Sequence, residues 1–175
     1  THFKGHPMAG FGGALKNISI GIASSEGKTR IHTGGVFSNP PITLGSLLTN
    51  QNVFTESMAE AAKSVSDYEE NGQNIVYISV MNNMSIDCDC VSKPTEVDMH
   101  DIGILASTDP VALDQACIDL VFRAKDGQSL QNRILEKNGL HILTHAEAIG
   151  FGSRAYEMIY VDEKESDSAT ESSEE

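Results

Sequence analysis

His6, Lys16 and His32 carry the residue types and spacing for acid–base or metal chemistry. They fall within His2–His32, HFKGHPMAGFGGALKNISIGIASSEGKTRIH, a glycine-rich stretch almost free of acid in a chain of formal net charge −13. A neutral imidazole can ligate a metal or accept a proton near neutral pH. A lysine near cations or apolar groups can act as a nucleophile. Gly10, Gly12 and Gly13, directly before Ala14-Leu15-Lys16, suit a tight turn into a short helix whose backbone N–H groups face an anion. The dinucleotide fingerprint G-x-G-x-x-G fails, because Leu15 stands where its third glycine belongs. The competing reading makes the histidines loop residues and Lys16 a surface cation.

A second group is Asp87-Cys88-Asp89-Cys90, where two thiolates at C-x-C spacing can reach one soft ion. A mononuclear site needs about four donors, so His100 or His32 would have to complete it. Asp98-Met99-His100 suggests a carboxylate that orients an imidazole. Asp109 before Pro110 reads as a helix N-cap, and Cys117 as a core thiol. Asp114 reads as a solvated helix position. His141 and His145 stand four apart, with capping and surface roles favoured over metal ligation.

These residues need elements to position them. The helix pattern Met58, Ala61, Ala62, Val65 predicts a helix over 55–69, closed by Asn71-Gly72. Helices are also predicted over 110–124, 129–138 and 144–149, with a short helical turn near Leu44–Leu48. NIVYISV (74–80), DIGILA (101–106) and YEMIYV (156–161) read as strands. Strands alternating with helices indicate an α/β class with a small, mostly parallel sheet. Ligands would then sit beyond the strands' carboxyl ends, at loop 82–94 and turn 107–109.

At 175 residues the chain is sized for one domain. Residues 1–161 are expected to form it, as part of a larger parent, because the chain opens on Thr1 in mid-pattern. The segment 162–175 holds seven acids and one lysine, leaving the body at −7, and reads as a disordered acidic tail. An acidic body argues against nucleic acid or an anionic membrane as partner. Hydropathy shows no bilayer span. The odd count of three cysteines favours a reducing cytoplasm.

HFKGHPMAGFGGALKN, CDC and DIGILASTDPVALDQA resemble the family termed domain of unknown function 362. Many of its members carry two [4Fe–4S] motifs, which would fall between Gly27-Lys28 and Met58. This chain has no C-x-x-C-x-x-C, and 33–52 takes their place, so no such cluster is predicted. More distantly, His6, Ala9-Gly10-Phe11-x-Gly13, Lys16, Gly21 and His32 are similar in order to the motif of nickel-pincer lactate racemase. That resemblance implies that His6 is a proton-transfer base, Lys16 a cofactor anchor and His32 a nickel ligand.

The expected function is a metal- or cofactor-dependent enzyme domain (Ni, Fe or Zn) acting on a small molecule, with proton or hydride transfer on a hydroxy acid. His6 and Lys16 would be catalytic, Gly10, Gly12, Gly13 and Lys16 would bind cofactor, and His32, Cys88, Cys90 and His100 would bind metal. An iron–sulfur-family redox component and a non-catalytic binding domain are the alternatives.

Overall fold

The computed structural model describes residues 1–39, 49–88 and 95–161. The expected turn at Leu44–Leu48, Cys90 and the acidic tail lie outside them. The N-terminal stretch folds into a hairpin, β1 (Lys4–His6) antiparallel to β2 (Gly10–Gly12), with His6 opposite Gly10. It leads into α1 (Ala14–Lys16), which widens into a π-helical turn over Asn17–Gly21. Next comes α2 (Ser25–His32), capped by the Ser24 hydroxyl, which accepts from the Gly27 N–H at 3.1 Å. This helix escaped the sequence reading because Gly27 dilutes its pattern. Its signals were Ser24 as N-cap and the Glu26–Arg30 pair one turn apart.

Helix α3 (Gln51–Tyr68) buries the expected stripe of Met58 and Ala62, together with Phe54 and Ala59. Strand β3 (Tyr77–Met81) pairs with β4 (Gly103–Ser107), and α4 (Pro110–Arg123), α5 (Gln128–Glu136) and α6 (His141–Ala148) follow. Asp109 caps α4 as expected, accepting from Val111 N–H at 2.8 Å and Ala112 N–H at 3.1 Å.

The α/β character holds, but the sheet is not mostly parallel. Both strand pairs are antiparallel, Tyr77 facing Ser107 and Met81 facing Gly103. The described part of the β3–β4 connection contains no helix, and a parallel return needs a crossover of a dozen or more residues, usually helical. Among the described residues, parallel pairing survives only at the edge of β3, where His2 bridges Val80. The carboxyl ends of β3 and β4 therefore point in opposite directions, so the starts of the two loops that qualified as ligand sites lie at opposite ends of the strand pair.

The third strand does not form. Residues 156–161 pair with none of the described strands, and Ile159 and Val161 are exposed. The Tyr156 hydroxyl donates to Asp119 at 2.7 Å, which ties the segment's start to α4 rather than to a sheet edge.

The core gathers Phe3, Phe11, Leu15, Met58, Met81, Leu130 and Leu143 under these helices, with Phe3 and Phe11 stacked at 5.6 Å. Cys117 lies within it, as its place on the apolar face of α4 predicted.

Candidate functional site

The β1–β2 hairpin ends on His6, and the turn that follows folds back over its ring. His6 Nδ1 accepts from Ala9 N–H at 3.0 Å and from Met8 N–H at 3.2 Å. An Nδ1 that accepts carries no proton, so the neutral ring holds its hydrogen on Nε2. The residue is buried, and its pKa is lowered to about 3, first by burial and then by the positive charges of Lys16, His32, Lys4 and Arg133. A proton-transfer base needs an available lone pair near neutral pH. With Nδ1 occupied, His6 presents an Nε2–H donor rather than an acceptor.

The glycine turn is also not an open anion cradle. The N–H groups of Ala14 and Leu15 already donate to Asp114, at 2.7 Å to Oδ1 and 3.0 Å to Oδ2. Asp114 is fully buried, not solvated as expected. Burial pushes its pKa up to about 7, against the opposing pull of the Leu15 and Ala14 amides. A Cβ on Gly13 would overlap that carboxylate, and one on Gly10 would meet Gly139 Cα at 3.0 Å. Gly10 also holds φ at +85°, the left-handed region that glycine tolerates. Gly10 and Gly13 thus serve close packing. Gly12 alone of the three opens toward Lys16, whose Cδ lies 3.5 Å from where its Cβ would stand.

Two clefts flank the hairpin. One, of about 120 Å³, is lined by Gly12, Gly13, Lys16, Asn17, His2 and Cys88 among others. Lys16 makes no hydrogen bond or ion pair with a described residue and lines this cleft. The other, of about 150 Å³, is lined by Met8, His32, Gln51, Phe54 and Lys137 among others. His32 Nδ1 lies 2.6 Å from the Lys28 carbonyl, and its ring stacks on Phe54 at 5.1 Å. A carbonyl only accepts, so Nδ1 carries the proton and Nε2 keeps its lone pair, the usual arrangement of a metal-ligating or proton-accepting imidazole.

Residues 1–119 match the protein family described as Domain of unknown function (DUF362). The chain belongs to the DUF362 family. No curated protein and no solved structure matches it. The family match takes in the hairpin, Lys16, His32 and Asp114, and ends within α4.

Among the described residues of this DUF362 chain, those expected to share a metal are not brought together. His32 lines one cleft, Cys88 another and His100 a third, and Cys90 lies outside the described residues. Among the described residues no three His, Cys, Asp or Glu side chains form a metal-holding group. Cys117 is buried in the core, its thiol pushed up to about 12 by burial and by the charge of Asp114.

The carboxylate that orients His100 is Asp126, 2.7 Å from Nδ1, while Asp98 accepts from the Ser129 hydroxyl. The Nε2 atoms of His141 and His145 face Glu56 and Glu60 across the α3–α6 seam, at 2.7 and 3.3 Å. None of the described helices is long and apolar enough to cross a membrane.

Asp126 had no role in the sequence reading, and Asp114, expected to be solvated, is instead a buried acceptor. Asp114 had a signal: it occupies the apolar stripe Val111, Asp114, Ile118, Val121, where an acid is out of place.

Proposed function

We propose that this domain is the ligand-holding part of a metal- or cofactor-dependent enzyme acting on a small organic anion such as a hydroxy acid. The observation that carries it is the orientation of His32 by the Lys28 carbonyl, which leaves Nε2 available beside the hairpin. Lys16, on the hairpin's other side, supplies positive charge for a carboxylate or phosphate. His6 offers its Nε2–H to a ligand oxygen rather than accepting a proton. A bound divalent ion at His32 would polarise a substrate oxygen.

A second reading is a binding domain without catalysis. It is favoured by the occupied lone pair of His6, which removes one of the two groups a proton-transfer mechanism on this hairpin would use.

The test is metal analysis of the protein purified without chelator, followed by Ni²⁺ and Zn²⁺ titration and then lactate titration. Metal lost in His32→Ala, with lactate binding weakened in Lys16→Ala, supports the enzyme reading. Lactate binding without any metal supports the binding domain. Neither metal nor lactate binding overturns both.

A further inference from the structure

A different cleft, of about 640 Å³, lies between the residues leading into β4 and the end of α4. That volume is within the range of small-molecule sites. Its floor is apolar, made by Ile102 and Leu120, and its rim carries His100, Arg123, Lys125 and Asp126. Asp126 grips His100 twice: Oδ2 accepts the backbone N–H at 2.8 Å and Oδ1 stands 2.7 Å from ring Nδ1. Those two contacts from His100 hold the Asp126 carboxyl below its ordinary pKa, so it is an anion and the proton sits on Nδ1. The imidazole is thereby fixed in orientation and tautomer, with the Nε2 lone pair left over.

The charges on the rim are not equivalent. Asp126 is engaged by His100, and Asp101 accepts from the Asn83 N–H at 2.8 Å. Arg123 and Lys125, both exposed, make no hydrogen bond or ion pair with a described residue. The carbonyls at the α4 end are capped, by Ala124 N–H on Leu120 and Val121 and by Gln131 Nε2 on Val121. That capping blunts the negative end of the helix, which would otherwise repel an anion. What the cleft offers a ligand is two exposed cations, an oriented acceptor and an apolar floor.

We propose that this cleft binds a small organic anion with an apolar body, of the class of aryl carboxylates and phosphate monoesters. Arg123 and Lys125 hold the anionic group, the guanidinium by a bidentate pair. The apolar body lies on Ile102 and Leu120, and His100 Nε2 accepts from a donor on the ligand. The site is separate from the hairpin clefts and does not depend on their function.

NMR titration of the whole chain with phenyl phosphate, and separately with inorganic phosphate, tests it. Saturating shifts at Ile102, the Arg123 side chain and the His100 ring are expected, with a dissociation constant of about 1 mM or tighter. The Arg123→Gln, Lys125→Gln double variant should bind about tenfold more weakly. Both glutamines sit at exposed positions, so folding is preserved. Absence of saturating shifts at these residues, or unchanged affinity in the double variant, overturns the proposal. Inorganic phosphate binding as tightly as phenyl phosphate overturns the role of the apolar floor.

Discussion

The Asp114 carboxylate takes the amide hydrogens of Ala14 and Leu15, which lie 100 and 99 residues away in the chain. Those amides open the first helical turn after the hairpin and would otherwise be buried without partners. An internal anion thus occupies the position where a glycine turn of this kind invites an external one. The bond also joins α4 to the segment carrying His6 and Lys16.

Removing that anion leaves two buried donors unsatisfied, each costing about 1–3 kcal/mol. Asp114→Ala is expected to lower stability by about 3 kcal/mol, and Asp114→Asn, which keeps one acceptor, by less. Urea denaturation measures both. A parent-like midpoint for Asp114→Ala would show that the cap contributes nothing.

Two neighbouring glycines should respond differently to alanine. Gly13→Ala drives a methyl into the Asp114 carboxylate and should cost about 1–3 kcal/mol by overpacking. Gly12→Ala meets only the flexible Lys16 chain, at 3.5 Å, and should stay within about 0.5 kcal/mol. Thermal melts of the pair decide it, and equal losses would contradict the packing account.

Stability against pH should carry two opposed contributions. Asp114, raised from 3.8 to about 7 in the fold, stabilises fully below pH 3.8, and that contribution is lost as pH rises toward about 7. His6, lowered from 6.5 to about 3, stabilises above pH 6.5, and that contribution is lost as pH falls toward about 3. Between about pH 4 and 6.5 the slopes oppose each other. Asp114→Asn should therefore make stability rise with pH across this window relative to the parent, and His6→Gln should make it fall. Chemical denaturation at several pH values reads the slopes. The same pH profile in both variants would refute the pairing.

Lys16 contributes to the low pKa of His6 after burial itself. Lys16→Ala should move the His6 titration upward from about 3, with the ring still neutral at pH 7 because burial is the larger cause. NMR titration of the imidazole resonances follows this directly, and an unmoved midpoint would place the Lys16 charge too far away to matter.

Much of this molecule follows from local chemistry. The Asp109-Pro110 start of α4, the apolar stripe of α3, the two strands at 77–81 and 103–107 and the core place of Cys117 all answer to periodicity, capping and β-branching, interactions that span a few residues. The glycines of the hairpin and the histidines beside them were equally plain as a concentration of unusual residues. Tertiary structure decided what those residues do. Strand direction depended on the connection between β3 and β4, and Tyr156–Val161 went unpaired because a strand needs an edge as well as a propensity. Whether His6 or His32 keeps a usable lone pair depended on which backbone group met each ring, an N–H in one case and a carbonyl in the other. Whether the Ala14 and Leu15 amides faced a ligand depended on a carboxylate a hundred residues away. A hydrogen bond is set by proximity in space, and composition or spacing in a single chain carries no record of that.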